Sequence, residues 1–191
     1  MQRVKNGTRK IRYSLVWVLS PSLYHLASQT GRPMIQYAKS VFGKHPLVGA
    51  EIGCGLCYHA KSILQTLNCS ALYLVDPYTL YVDDNRKVET MYLDGVKEMK
   101  KLTQKNKNAV FIQKTSLEAV DKMGQLDFCY IDANHTFKHV VEDIICYYPK
   151  VKNGGIIGGH YFDAEHKEVC EAVLYFAKAN NVEIHGTGNN L

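Results

Sequence analysis

The 191-residue chain has no apolar run long enough to cross a bilayer. A span takes about 20 mostly apolar residues, and the nearest approach, Leu15-Val16-Trp17-Val18-Leu19, is soon broken by Pro21, Tyr24 and His25. A basic start (Arg3, Lys5, Arg9, Lys10, Arg12) leads into that run as in a signal peptide, but no clear small-residue cleavage site follows. Charge of one sign is also scarce. A net +5 with 21% charged residues is far from the dense basic stripe of a dedicated nucleic-acid binder. Cys54-x-x-Cys57 has no second C-x-x-C to complete a zinc site, and no Lys-Ser or Lys-Thr follows Gly55 to make a P-loop. Repeats and low-complexity segments are missing too, so the length points to one domain with a substantial core.

The six cysteines (Cys54, Cys57, Cys69, Cys129, Cys146, Cys170) lie mostly inside apolar runs. A chain of this size does not need disulfide staples, so they read as reduced core thiols and the expected compartment is the cytoplasm.

The organising stretch is Val48-Gly49-Ala50-Glu51-Ile52-Gly53-Cys54-Gly55-Leu56-Cys57, an apolar run that ends in an acid and two glycines before a helical pattern. It reads as the first strand, turn and helix of a doubly wound α/β sheet, whose ligands bind beyond the carboxyl ends of the strands. Glycines at 53 and 55 let the backbone bend sharply and approach a ligand closely. The dinucleotide fingerprint needs a third small residue at position 58, where Tyr58 stands. Glu51 adds negative charge, which repels a pyrophosphate and attracts an ammonium or sulfonium. After the run Ala71-Leu72-Tyr73-Leu74-Val75 comes Asp76, an acid suited to two ribose hydroxyls. A cationic, phosphate-free adenosine ligand satisfies both acids, and S-adenosylmethionine is the common biological example.

On these two motifs, E-x-G-x-G at residues 51–55 and the acid ending strand two, the chain resembles the class I S-adenosylmethionine-dependent methyltransferases over roughly residues 46 to 188. The resemblance implies a Rossmann-like, mostly parallel sheet. In that class a seventh strand usually inserts antiparallel beside the fifth. Asn189-Asn190-Leu191 stands about where it would begin, so that strand is expected to be missing or truncated. Residues 1–45 read as a helical N-terminal extension, with Ile35, Ala38, Val41 and Phe42 at helical spacing. Such extensions often form a lid in related enzymes. Residues 46–191 are then the cofactor-binding methyltransferase domain.

Further along, Ala60, Ile63, Leu64 and Leu67 mark a helix, and residues 76–84 form a tyrosine-rich loop placed either over the ligand or against the surface. Ser116 has N-cap character, and the resemblance implies adenine contacts at Ser116 and Leu117. Leu126–Asp132 and Ile156–His160 read as strands four and five, with Asp132, Asn134, His135, His160 and Tyr161 at or near their ends. Methyl transfer to oxygen needs alignment and a proton acceptor, and histidine titrates near neutrality.

Asp132-Ala133-Asn134-His135 looks like the strand-four motif of catechol-type and sugar-hydroxyl O-methyltransferases. By that resemblance Asp132 contacts cofactor, substrate or a metal, and His135 is the catalytic base. His160 falls where the catechol branch has a metal-binding aspartate, and Tyr161 where it has asparagine. Magnesium prefers oxygen ligands, so a metal shared by Asp132 and His160 is a doubtful cofactor. His139 stands at i+4 from His135, a spacing that suits a metal pair, but Asp143 on the same face supports an ordinary charge partnership and His139 is left out of the site; His166 and His185 read as surface residues. The expected activity is methyl transfer from S-adenosylmethionine to a hydroxyl of a sugar or natural product, with catalytic Asp132, His135 and His160 and cofactor-binding Glu51, Gly53, Gly55, Asp76, Ser116, Leu117 and Asp132. Nucleic acid and membrane are not expected partners. The alternatives are a nucleic-acid base methyltransferase, although no Asn/Asp-Pro-Pro-Tyr/Phe motif follows strand four, and an inactive cofactor-binding module.

Overall fold

The computed structural model describes residues 14–17, 32–79, 82–83, 86–87 and 89–186. Its strands are β1 (Ser14–Trp17), β2 (Leu47–Ile52), β3 (Cys69–Val75), β4 (Val82–Asp83), β5 (Arg86–Lys87), β6 (Ala109–Ile112), β7 (Leu126–Ile131), β8 (Val151–Gly159) and β9 (Ile184–Gly186). The helices are α1 (Pro33–Phe42), α2 (Tyr58–Thr66), α3 (Glu89–Lys105), α4 (Ser116–Ala119), α5 (Phe137–Tyr147) and α6 (Lys167–Asn180). Seven strands form one sheet in the order β6-β3-β2-β7-β8-β1-β9, and every pairing in it is parallel. Strands β4 and β5 make a separate antiparallel pair.

Two apolar cores lie on opposite faces of this sheet, as alternation along each strand dictates. On one face Leu72, Leu74, Phe128 and Tyr130 pack with Met34, Ile35 and Ala38 of α1, Ala60 and Ile63 of α2, and Met99 and Leu102 of α3. On the other, Ala50, Ile52, Cys129 and Ile131 pack with Val140, Ile144 and Tyr147 of α5 and Val169, Ala172, Val173 and Phe176 of α6. The architecture is the expected doubly wound α/β sheet. The expected stripe of the first helix is narrower than read: Val41 is exposed.

The N-terminal region departs from an all-helical extension. Pro33–Phe42 is helical, but Ser14–Trp17 is a strand lying between β8 and β9, parallel to both. The mostly apolar run, with Val16 and Trp17 of high strand propensity, suits a strand enclosed by two neighbours. No strand enters antiparallel beside β8 among the described residues, and β1 holds that place instead. The expected start of a seventh strand at Asn189-Asn190-Leu191 lies outside the described residues.

Candidate functional site

The carboxyl ends of the central strands are in register. Ile52 lies opposite Val75 on one side and Ile131 on the other, and Ile131 lies opposite Gly159. The next residue on each strand, Gly53, Asp76, Asp132 and His160, therefore falls on one row across the sheet, with neighbouring strands about 4.8 Å apart. Four residues singled out from sequence are brought together by the parallel register alone.

The glycine turn is held from both sides. Gly53 and Gly55 have φ of 84° and 47°, the left-handed region where a side chain is strained. A Cβ on Gly53 would also stand 2.2 Å from the carbonyl oxygen of Asp132. From β3, Asp76 accepts hydrogen bonds through Oδ2 from the amides of Cys54 (2.9 Å) and Gly55 (3.0 Å), and through Oδ1 from that of Tyr78 (2.8 Å). A carboxylate has about four lone-pair sites, so this leaves capacity for a further donor such as a ribose hydroxyl. The Tyr78 hydroxyl donates to the Gly55 carbonyl (2.8 Å), and its buried ring packs where Gly95 has no Cβ. Tyr78 thus supports the turn from below, while residues 80, 81, 84 and 85 of the tyrosine-rich loop lie outside the described residues. All six cysteines are free thiols, and burial pushes Cys57 up to about 11.

Glu51 does not stand at the mouth of the site. It is 1% exposed, and its Oε1 lies 2.9 Å from Nδ1 of the buried His59, whose ring packs on Tyr130. Burial raises the Glu51 carboxyl well above its ordinary range and drives the His59 imidazole well below its own. A neutral acid beside a neutral imidazole is the state both shifts favour. The standing negative charge expected from sequence is suppressed because burial removes the water that stabilises it. Among the described residues, Glu51 Oε2 and His59 Nε2 are buried without hydrogen-bond partners. These orphaned polar atoms fit a ligand with a polar, chargeable end.

Asp132 has a partner that sequence reasoning missed. Arg32, immediately before α1, donates from Nη1 to Asp132 Oδ2 and to the Tyr130 hydroxyl (2.7 Å), with its guanidinium carbon 5.3 Å from the Tyr130 ring centre. Burial alone would raise the Asp132 carboxyl, but Arg32 and His135 hold it well below the ordinary carboxylate range. His135 Nε2 lies 3.4 Å from Asp132 Oδ1. Burial, assisted by Arg32, pushes His160 down to about 4, so its imidazole is neutral at physiological pH. Among the described residues no three of His, Cys, Asp and Glu gather to hold a metal. The cation beside Asp132 is the guanidinium.

Around Tyr161 the side chains form an aromatic cluster. Its ring centre lies 3.9 Å from that of His160, 4.6 Å from His135 and 4.1 Å from His166. Tyr161 has a φ of 63°, unusual for a bulky residue. His166, read from sequence as surface, belongs to this cluster.

Ser116 and Leu117 sit beyond β6, at the neighbouring strand's end. Thr115 rather than Ser116 caps α4: its Oγ1 accepts from the Glu118 amide while the Glu118 carboxylate accepts from the Thr115 amide, a complete capping box. Leu117 is exposed, whereas the Ser116 carbonyl accepts from the Tyr147 hydroxyl (2.9 Å). Asp143 is buried against Ser116, which removes it as a partner of His139; that imidazole instead meets Thr136 Oγ1 at 2.6 Å.

No curated relative matches the chain by sequence. Its fold resembles a precorrin-6y C5,15-methyltransferase from Geobacter metallireducens at 15% identity and a TM-score of 0.55, covering 76% of this chain and 69% of that one. TrmN from Thermus thermophilus matches at 10% identity and TM-score 0.49, over 79% of this chain and 45% of that one. Trm5b from Pyrococcus abyssi matches at 14% and 0.45, over 83% and 41%. Across solved structures of this kind the chain spans from 41% to 76% of the other protein. The expectation that nucleic acid is an unlikely partner is withdrawn, because a methyltransferase domain of this fold does not select between small-molecule and nucleic-acid acceptors. Among the described residues no helix is long and apolar enough to cross a membrane. Residues 48–162, well over half the chain, match the family model described as a methyltransferase domain, and the chain belongs to that family, within the class I S-adenosylmethionine-dependent methyltransferases.

Proposed function

We propose that this chain transfers a methyl group from S-adenosylmethionine to a hydroxyl of a small molecule, a sugar or natural product. The observation that supports this most is the gathering of His135, His160 and Tyr161 around Asp132, one strand away from the glycine turn. In this reading Asp76 and the turn hold the ribose, Ser116 and Leu117 the adenine, and Glu51 with Arg32 the amino-acid end. The bound cofactor supplies an electrophilic methyl group. The chain's own part is to align the acceptor hydroxyl, exclude water and take its proton on an imidazole of the cluster around Tyr161. His135 and His160 are the imidazoles that adjoin Asp132.

Arg32 belongs to the 1–45 extension, and its reach to Asp132 favours that extension as cover for the site. Six free thiols suit a reducing, cytoplasmic setting.

The test has two stages. Titration calorimetry with S-adenosylhomocysteine should give micromolar binding that weakens at least tenfold in Asp76→Asn; no heat with the wild-type chain refutes the cofactor assignment. Methyl transfer is then measured with catechol, a methyl hexoside and transfer RNA. Transfer to either hydroxylated probe supports the reading, and transfer to RNA alone replaces it.

A further inference from the structure

The Asp132 side of the site is poorly placed to stabilise a proton. Asp132 already balances Arg32, so its field at His135 is partly spent, and the 3.4 Å separation is long for a hydrogen bond. His160 is half-buried and faces the same guanidinium.

A second carboxylate–imidazole pair stands across Tyr161. Asp163 Oδ1 lies 2.8 Å from His166 Nδ1 and also accepts from the amides of Glu165 (3.0 Å) and His166 (3.1 Å). Burial works against the Asp163 charge, but these hydrogen bonds keep its carboxyl below the ordinary value. An ionised carboxylate only accepts, so Nδ1 carries the proton, and in the neutral imidazole the lone pair then lies on Nε2. No guanidinium or ammonium pairs with Asp163 among the described residues. The His166 side chain is 31% exposed, and its ring centre lies 6.2 Å from that of His135. The residues facing it are Asp163 from its own loop, Tyr161 from the end of β8 and His135 from the loop after β7. Tyr161 keeps its left-handed backbone while its ring is wedged among three imidazoles, and such strain persists where surroundings enforce it.

We infer that His166, oriented by Asp163, is the base that takes the proton of the acceptor hydroxyl, with Tyr161 as the wall against which the acceptor lies. The inference rests on the methyl-transfer reading and names its base. The acceptor O–H bond breaks with its electron pair left on oxygen, and the proton bonds to the Nε2 lone pair. The oxygen bonds the donated methyl carbon as the sulfonium sulfur keeps the C–S pair. Asp163 then faces an imidazolium, an arrangement that stabilises the charge as it forms.

Two measurements test this. Nitrogen-15 spectra of histidine-labelled, ligand-free protein should show His166 with Nδ1 protonated and Nε2 bare, and Asp163→Asn should convert it to a tautomer mixture. With catechol or methyl hexoside as acceptor, His166→Gln should lower kcat by about 10²-fold or more. It should also abolish the acid limb of the kcat–pH profile while leaving S-adenosylhomocysteine affinity within twofold, and free imidazole should restore part of the rate. A wild-type chain that methylates no hydroxylated probe overturns the inference along with the reading it rests on. Turnover whose acid limb survives in His166→Gln but vanishes in His135→Gln overturns the inference alone, as does an Nε2-protonated His166 in the spectra.

Discussion

Replacing Arg32 by methionine keeps most of the side-chain volume over Tyr130 but strips Asp132 of its counter-charge. Both side chains are only 15% exposed, so the carboxylate would be left largely desolvated. Breaking a buried pair from one side costs about 3–5 kcal/mol, and this partial exposure argues for about 3. For a chain of this length that is a fall in Tm of about 6–12 °C. The pH dependence carries a sign. In the wild type the folded pKa of Asp132 is depressed, so its stabilisation is present above the unfolded value and lost only as pH falls through the lower folded one. In Arg32→Met burial is left to raise that pKa, so the variant loses stability as pH rises through it. The gap between the two proteins should therefore narrow on going from pH 7 to pH 4.5. Adding Asp132→Asn to Arg32→Met should recover about 2 kcal/mol, a coupling measurable by urea denaturation of the four members of the cycle. Strictly additive effects, or a gap that widens in acid, would refute the claim that Arg32 exists to balance Asp132.

Three further outcomes follow from individual contacts. Gly53→Ala should abolish cofactor binding and lower Tm, because the new methyl meets the Asp132 carbonyl at 2.2 Å with φ at 84°; normal calorimetry would contradict this. Asp143 is 3% exposed and burial raises its pKa from 3.8 to about 6. Its contribution is therefore complete below the unfolded value and lost as pH rises through about 6, a loss of about 3 kcal/mol at 1.36 kcal/mol per unit. Asp143→Asn should flatten the denaturant midpoint between pH 4 and 7, and an unchanged slope would be the contrary result. Binding of S-adenosylhomocysteine, whose ammonium favours an ionised Glu51, should release up to one proton. Affinity should rise with pH until Glu51 is ionised in the free protein, and enthalpies independent of buffer ionisation would count against it.

What was legible in the sequence is what repeats locally. The glycine turn announced itself because a left-handed backbone demands glycine at 53 and 55, and the strand-end acids followed because a parallel register makes one row of them. Ala60, Ile63 and Leu64 marked α2 by spacing alone. Arg32 could not be found this way: its contact with Asp132 crosses 100 residues, and nothing near Pro33 distinguishes it from a surface arginine. The strand at Ser14–Trp17 was hidden for a similar reason, since a short apolar run takes its conformation from the strands flanking it. The capping box at Thr115 and Glu118 was available, as T-x-x-E before a helix, and was passed over in favour of the adjacent Ser116.

The electrostatics show why spacing placed the strand-end residues in one row but was a poor guide to their charge. Three acids converge at the strand ends, yet none presents a bare charge. Asp76 is tied to three backbone amides, Asp132 to a guanidinium, and Glu51 is neutralised by burial. A preference for a cationic ligand therefore does not require a standing negative field. On the proposed reading it arises when the ligand's positive end meets the buried, unpartnered Glu51 Oε2 and makes ionisation favourable there, so that charge appears where and when it is matched. A neutral or anionic nucleotide brings no positive end to induce that change. Selectivity of this kind is built from desolvation as much as from Coulomb attraction, and desolvation is a property of packing that no residue spacing records.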